Sequence, residues 1–139
     1  MFNLLNKIFY LSKNLTVVSL KFSILKKETS IEKIFKAIEN YSQEAEVRYV
    51  GGCIRKILNN EKVDDIDLAT NIEPIKVKSA LQKNGINFYE TGMTHGTITA
   101  SIENEKYEIT SLRCDVSTDG RHAKVEFTNN WLQDAERRD

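Results

Sequence analysis

Glycine, asparagine and proline divide the chain after residue 29 into short apolar stretches, and this spacing limits the fold more than any other feature. Such residues favour turns and helix ends, so each stretch between them predicts one short helix or strand. The stretches follow one another in the order αβαβαβββ, which is typical of a small mixed α/β domain. With 139 residues, the chain is long enough for one domain with a real core.

Apolar residues recur at helical spacing over residues 30–41, which predicts an amphipathic helix there. The repeating positions are Ile31, Ile34, Phe35, Ile38 and Tyr41. Residues 29–32 (Thr-Ser-Ile-Glu) fit a capping box at the start of this helix. Pro74 suits the first turn of another helix, which Asn84 and Gly85 are expected to end.

Strands are predicted where β-branched and aromatic residues cluster between turn residues. They cover residues 46–50, 64–69, 86–90, 96–102, 106–112 and 124–127. Two further short helices are expected over residues 53–58 and 131–138. Residues 113–123 are polar and contain Asp119 and Gly120, so they are predicted to form a mobile loop.

The 20 Lys and Arg residues balance the 20 Asp and Glu residues, which argues against a surface that binds nucleic acid everywhere. The charge is nevertheless uneven, because the first 27 residues carry five lysines and no acidic residue. This apolar segment lacks the run of about 20 uncharged residues that spans a membrane, and it lacks a secretory-signal pattern. A surface-lying amphipathic helix, a targeting peptide, an element packed on the domain and a frayed extension all remain open. Residues 1–28 are therefore treated as an extension of unknown role and residues 29–139 as the domain.

Cysteine and histidine are too sparse to form a metal centre of their own. Cys53 and Cys114 are too few and too far apart for a disulfide scaffold or a zinc site. His95 and His122 have no metal-binding spacing around them. This cysteine usage is typical of a reducing, cytoplasmic compartment.

The candidate chemistry lies in Gly51 and Gly52, followed by Asp65 and Asp67. Two glycines between a strand and a helix allow the backbone to approach a phosphate group closely. Residues two apart on a strand share a face, so both carboxylates are expected to project together and attract Mg²⁺. Taken alone, the glycines could form an ordinary turn and the acids a solvated strand face. Taken together, they form the layout that holds a metal–triphosphate for attack by a hydroxyl group.

Residues 48–55 and 64–70 resemble the head domain of bacterial tRNA nucleotidyltransferases and poly(A) polymerases. This is the CCA-adding family, within the polymerase-β-like nucleotidyltransferase superfamily. Further matches follow in order at residues 92–97, 107–113, 119–123 and 137–139. The resemblance implies an α+β head, with a mixed sheet flanked by helices, that is truncated at its C-terminus.

The resemblance also implies roles for individual residues. Asp65 and Asp67 are expected to bind two Mg²⁺ ions that bridge the triphosphate and the 3′-hydroxyl of an RNA primer. Glu108 is the candidate third carboxylate, which orients or deprotonates that hydroxyl; an exposed strand residue without a catalytic role is the equal alternative. The expected nucleotide contacts are Gly51, Gly52, Arg55, Arg113, Arg137, Arg138 and Asp139.

The implied activity is the transfer of CMP or AMP from CTP or ATP to the 3′ end of tRNA, by CCA addition or by poly(A) tailing. Lys56 departs from the family pattern, in which an acidic or amide residue is common. The chain is also expected to lack the base-selecting and tRNA-gripping regions, which a second polypeptide would supply. The alternatives are an inactive remnant and a non-catalytic module that binds Mg²⁺ and a nucleotide.

Overall fold

The structure is a computed structural model, and it describes residues 19–22, 30–118 and 122–138. Most of the N-terminal extension lies outside the described residues, as do Asp139 and the Asp119-Gly120 turn. The helices are α1 (Ile31–Glu39), α2 (Gly52–Leu58), α3 (Pro74–Lys83) and α4 (Trp131–Glu136). The strands are β1 (Val47–Val50), β2 (Asp67–Thr70), β3 (Asn87–Gly92), β4 (Thr97–Ile102), β5 (Glu105–Ser111), β6 (Arg113–Thr118) and β7 (His122–Phe127).

Five of the strands form one mixed sheet in the order β1-β2-β5-β4-β3. The central pair, β2 and β5, is parallel, and every other neighbouring pair in this sheet is antiparallel. A 3₁₀ turn over Met93–His95 connects β3 to β4. This mixed sheet with helices confirms the predicted α+β fold class.

The two faces of the sheet have opposite character, as strand periodicity requires. On β5, Tyr107 and Ile109 are buried, whereas Lys106 and Glu108 point to the exposed side. Helices α1 and α3 cover the apolar face, where Ile34 and Leu81 are fully buried in the core. The opposite face is polar, and it is where the candidate site lies.

The predicted mobile loop at residues 113–123 is wrong for the described residues 113–118 and 122–123, which lie in strands. Strands β6 and β7 pair antiparallel from Arg113 opposite Phe127 to Thr118 opposite His122. They form a separate two-stranded ribbon that does not join the main sheet. A ribbon without a sheet neighbour on either side does not need an apolar face, so hydrophobic patterning did not reveal it.

One predicted boundary needs correction. Strand β2 begins at Asp67 rather than at residue 64, so Asp65 precedes the strand instead of lying on it. Thr29, the first residue of the predicted capping box, lies outside the described residues, and Ser30 makes no side-chain cap to α1. The Ser30 hydroxyl instead donates to Glu103 Oε2 at 3.2 Å.

The described part of the N-terminal segment, residues 19–22, is helical and contacts the domain. The ring of Phe22 lies 5.0 Å from that of Tyr49, and Lys21 donates to the side chain of Asn60. Burial raises the pKa of Tyr49 to about 12, with smaller contributions from Cys53 and Tyr107. These four residues therefore behave as an element packed on the domain, one of the predicted alternatives.

Candidate active site

A row of four cross-strand neighbours runs over the polar face of the sheet. Asp67 on β2 pairs with Glu108 on β5, and Glu108 pairs with Thr99 on β4. Thr99 in turn pairs with Tyr89 on β3. Directly paired residues carry their side chains on the same face of a sheet. Asp67 and Glu108, predicted from two distant parts of the sequence, are thus side by side.

The row forms the floor of a cleft of about 720 Å³. Its lining residues are Asp65, Ile66, Asp67, Tyr89, Thr91, Thr99, Lys106 and Glu108. All three predicted catalytic carboxylates therefore line one cleft, although Asp65 lies outside the strand. The other half of the lining, from β3, β4 and β5, was not predicted. Lys106 could have been found, since it lies two residues before Glu108 and shares its face.

Gly51 brings the backbone against one of these carboxylates. Strand β1 ends at Val50, which is paired with Asp67, and Gly51 follows with φ +75°. A Cβ atom on Gly51 would lie 3.3 Å from Asp67 Oδ2. Gly51 therefore satisfies two demands, a positive φ and a close approach, that other residues meet poorly.

Helix α2 begins directly after this turn and carries three residues of interest. Cys53 is buried, and its thiol donates to the carbonyl oxygen of Val50 at 3.1 Å. Burial is the largest cause that raises the pKa of this thiol. Arg55 is exposed, and its guanidinium lies over Gly52, 3.7 Å from where a Cβ would be. Among the residues that the structure describes, Arg55 has no ion pair.

Lys56, the departure from the family pattern, forms an ion pair with Asp64. The hydrogen bond from Lys56 lowers the pKa of the Asp64 carboxyl and raises that of the Lys56 amine. Neither residue lines the cleft. Lys56 therefore pairs with Asp64, and not with the two predicted metal ligands that follow it in the sequence.

Three of the four predicted nucleotide-contacting arginines gather around a residue that the sequence analysis missed, Asp134 on α4. Asp134 is only 3% exposed. It accepts hydrogen bonds from the backbone N–H of Arg113 at 3.0 Å, from Arg137 at 3.0 and 3.2 Å, and from Arg138 at 2.6 Å. Arg113 also donates to the carbonyl of His95 at 3.2 Å. None of these residues is in the cleft lining.

The pKa of Asp134 reflects two opposing effects. Burial raises it, but the hydrogen bonds from Arg113, Arg138 and Arg137 outweigh burial and lower it below its usual value. Asp134 is therefore a charged group that balances part of a cationic cluster. Asp139, the last predicted nucleotide contact, lies outside the described residues.

The donor set in the cleft suits a hard cation such as Mg²⁺. No group of three or more Asp, Glu, His or Cys residues within the described chain is close enough to form a complete metal site. Mg²⁺ is usually held by one or two carboxylates together with substrate phosphates. Asp65 and Asp67 match that incomplete, oxygen-only set, and their role as ligands stays a prediction.

Comparison with known proteins identifies the family. The model of the poly(A) polymerase head domain matches residues 47–139. This chain belongs to the poly(A) polymerase head-domain family. The human protein named mitochondrial CCA tRNA nucleotidyltransferase 1 is 53% identical over 95 residues, which is 68% of this chain and 22% of that protein. A CCA-adding enzyme of Listeria monocytogenes is 36% identical over 96 residues, 68% of this chain and 23% of the enzyme.

Solved structures agree with this family assignment. The CCA-adding enzyme of Bacillus stearothermophilus, in complex with CTP, matches 78% of this chain with a TM-score of 0.61 and 25% identity. The match covers 25% of that enzyme. A tRNA nucleotidyltransferase complexed with a primer tRNA and an ATP analog shares the fold, with a TM-score of 0.52 over 76% of this chain and 28% of that enzyme. This poly(A) polymerase head-type chain thus spans about a quarter of the length of the relatives it matches.

The cellular compartment of the chain stays a prediction. In the described ranges, no helix has the length and apolar character needed to cross a membrane. The human relative carries "mitochondrial" in its name. The cytoplasmic assignment based on cysteine usage therefore receives no support from that relative.

Proposed function

We propose that this head domain transfers a nucleotidyl group from CTP or ATP to the 3′ end of tRNA and releases pyrophosphate. The observation that carries the proposal is the pairing of Asp67 with Glu108 in one cleft that also includes Asp65. The names of the relatives support tRNA as the acceptor. The CTP complex of the Bacillus enzyme supports a nucleoside triphosphate as the donor.

Asp65 and Asp67 are the residues that would hold Mg²⁺ in this proposal. When bound, the metal supplies charge neutralisation for the triphosphate and lowers the pKa of the attacking hydroxyl. Gly51 keeps one side of the Asp67 carboxylate free of side-chain atoms, because its would-be Cβ position is only 3.3 Å from Oδ2. This close approach brings the backbone of the Gly51 turn next to a residue proposed to hold the metal.

The remaining roles follow from where the side chains lie. Glu108, next to Asp67 in register, accepts the proton of the 3′-hydroxyl as its oxygen attacks the α-phosphorus. The bond from the α-phosphorus to the bridging oxygen of the β-phosphate breaks, and pyrophosphate leaves with the electron pair. Gly51, Gly52 and the exposed Arg55 guanidinium hold the triphosphate through backbone N–H groups and a planar cation.

The arginine cluster is proposed as a second contact with the nucleotide. Arg137 and Arg138 share the single carboxylate of Asp134 through their guanidinium groups, and Arg113 donates to it through its backbone N–H. Two guanidinium groups and one carboxylate leave a net positive charge, which attracts the sugar–phosphate part of a nucleotide. Asp139 completes this predicted set from outside the described residues.

Base selection and the grip on tRNA are proposed to lie beyond these 139 residues. The chain corresponds to about a quarter of its relatives, and the other three-quarters would come from further sequence or from a second polypeptide. Under this proposal the chain binds CTP and ATP with similar affinity, since neither base is selected within it.

Calorimetric titration with Mg²⁺–CTP and Mg²⁺–ATP tests the proposal. We expect the wild-type chain to bind both nucleotides and the Asp65→Asn/Asp67→Asn double variant to lose binding. Asp64→Asn is the matched control, because Asp64 is a neighbouring acid that pairs with Lys56 outside the cleft. Equal binding by the wild type and the double variant, or an equal loss in the control, contradicts the proposed site.

A transfer assay then separates binding from chemistry. Radiolabelled CTP is incubated with tRNA that lacks its 3′ CCA, with the chain alone and with the missing regions of a relative added in trans. Incorporation that disappears in Glu108→Gln supports group transfer. Nucleotide binding without incorporation under either condition favours the non-catalytic binding module.

A further inference from the structure

The cleft has a second half that the nucleotide-binding residues do not use. Asp65 and Asp67 lie towards β1 and the Gly51 turn, whereas Tyr89, Thr99 and Lys106 lie on the β3, β4 and β5 side. The second half carries no carboxylate of its own beyond Glu108 at its boundary. It presents an aromatic ring, hydroxyl groups and one cation instead.

Tyr89 presents a large aromatic ring to solvent on the edge strand β3, because 55% of it is exposed. Its register partner on β4, Thr99, is nearly buried. Because β3 is the edge strand, Tyr89 lies at the outer end of the row that begins at Asp67. Adjacent strands are about 4.8 Å apart, which puts the backbone of Tyr89 roughly 14 Å from that of Asp67. This distance is too long for contact with a reacting phosphate at Asp67, but it suits the last bases of an acceptor strand.

Hydroxyl groups and a cation line the same cleft as the ring. The Thr91 and Thr99 hydroxyls are 2.7 Å apart, which leaves further lone pairs and protons to bind ribose hydroxyls. Lys106 is exposed on the same face as Glu108, in the register row of Ser101 and Asn87, and it has no ion pair among the residues of the described chain. An aromatic ring and a cation in one cleft are the combination that binds single-stranded nucleic acid through stacking and phosphate contact.

We infer that Tyr89, Thr99 and Lys106 form the subsite for the single-stranded 3′ end of the RNA acceptor, with Tyr89 as the stacking residue. The inference rests on the proposed function, since that function requires an acceptor hydroxyl next to Glu108. The triphosphate occupies the Gly51 side, and the acceptor approaches from the β3 edge. Because Asp65, Asp67 and Glu108 repel phosphate, this RNA contact depends on a divalent cation at the carboxylates.

Fluorescence anisotropy tests the subsite, with a short 5′-labelled single-stranded RNA that ends in a free 3′-hydroxyl, in Mg²⁺ and then in EDTA. Tyr89→Ala removes the ring, and Tyr89→Phe retains stacking. Tyr41→Ala is the matched control, because Tyr41 is another exposed tyrosine that lies outside the cleft. Each variant is also titrated with Mg²⁺–CTP.

We expect Tyr89→Ala to weaken RNA binding about 5- to 150-fold, the range measured for base–aromatic stacking. Tyr89→Phe and Tyr41→Ala should bind RNA like the wild type, and EDTA should abolish binding. CTP affinity should be unchanged in all three variants. If the wild type does not bind RNA, or if Tyr89→Ala binds RNA as tightly as the wild type, the subsite is overturned. Retained CTP binding in that case leaves the proposed function intact. Absence of CTP binding with intact, Tyr89-dependent RNA binding contradicts the proposed function alone.

Discussion

The backbone of Gly51 lies against the carboxylate of Asp67, so closely that a Cβ on Gly51 would be 3.3 Å from Oδ2. The contact connects the turn after β1 with Asp67, the first residue of β2. Asp67 is also the register partner of Val50, the last residue of β1. It relates the predicted phosphate-binding turn directly to the predicted metal ligand. Substitutions at Gly51 should therefore affect ligand binding as well as stability.

Gly51→Ala is expected to lower the affinity for Mg²⁺–CTP about tenfold, because the new methyl group displaces the Asp67 carboxylate by a few tenths of an ångström. Alanine at φ +75° and ψ −149°, a conformation that is essentially confined to glycine, also costs about 1–3 kcal/mol of stability. Calorimetry measures the affinity and urea denaturation the stability.

Gly85→Ala is the control for backbone strain alone. Gly85 has a similar φ of +67°, and no atom lies within 4 Å of its would-be Cβ. Both variants should lose stability, Gly51→Ala more than Gly85→Ala because ψ at Gly51 is −149°, but only Gly51→Ala should lose nucleotide affinity. An equal loss of affinity in both variants would show that strain, rather than contact with Asp67, is responsible.

The sequence singled out three carboxylates that the structure brings into one cleft, although Asp65 precedes β2 rather than lying on it. The glycine turn and the paired acids are short-range patterns, and both β2 and β5 were recognised as strands. Tyr89 could not be assigned in the same way. Its position depends on the register between β3 and β4, which shifts between Tyr89 and Gly92, and sequence periodicity does not determine the register of an edge strand.

Cys53 should be protected from thiol reagents in the native protein. It is 2% exposed, and burial raises its pKa, so at pH 8 the thiol stays protonated and inaccessible. Cys114, which is partly exposed, should react first. We expect a Cys114→Ser variant to react with a chromogenic disulfide about 100-fold more slowly than a Cys53→Ser variant.

Urea provides the internal control for this difference. Above the unfolding midpoint, both single-cysteine variants should react at the same rate, because neither burial nor hydrogen bonding then protects Cys53. Rapid reaction of Cys53 in native buffer would mean that the start of α2 opens readily, which would contradict a preformed Gly51 turn.

Gly96 and Phe127 should show a measurable energetic coupling. Gly96 follows the 3₁₀ turn with φ +79°, and a Cβ there would lie only 2.6 Å from Cε1 of Phe127. Gly96→Ala should therefore cost backbone strain of about 1–2 kcal/mol and, in addition, the displacement of the Phe127 ring.

A double-mutant cycle separates these two costs. In a Phe127→Ala background the ring is absent, so Gly96→Ala should cost about 1 kcal/mol less than it does in the wild type. Urea denaturation of the four proteins gives the coupling. Identical costs in both backgrounds would mean that the exposed ring moves aside freely and that Gly96 is needed only for its φ.

The ribbon of β6 and β7 and the buried carboxylate of Asp134 are two features that this sequence did not predict. Within the described residues, strands β6 and β7 pair only with one another, so neighbouring strands of a sheet did not help to reveal them. Asp134 lies among charged neighbours in the sequence, where an acid usually faces solvent. Its burial depends on Arg113, 21 residues earlier, because the Asp134 carboxylate accepts a hydrogen bond from the backbone N–H of Arg113. Such long-range polar partners have no local signature.

Asp134 is expected to contribute most of its stabilisation at neutral pH and to lose it in acid. Its pKa is lowered in the folded protein, since hydrogen bonds from Arg113, Arg138 and Arg137 outweigh burial. A group with a lowered folded pKa stabilises the protein above its unfolded pKa, about 3.9 for Asp, and this stabilisation disappears as the pH falls through the folded pKa. Asp134→Asn should therefore cost about 3 kcal/mol at pH 7.

Urea denaturation of the wild type and Asp134→Asn between pH 7 and pH 3 measures this dependence. The difference between the two proteins should be constant down to about pH 5 and then shrink as the Asp134 carboxyl becomes protonated in the unfolded and then the folded chain. Asp64→Asn is the control, because Asp64 also has a lowered pKa but is exposed beside Lys56. Its substitution should change stability little at any pH. A difference for Asp134→Asn that does not depend on pH would mean that its hydrogen-bonding shape, rather than its charge, holds the arginine cluster together.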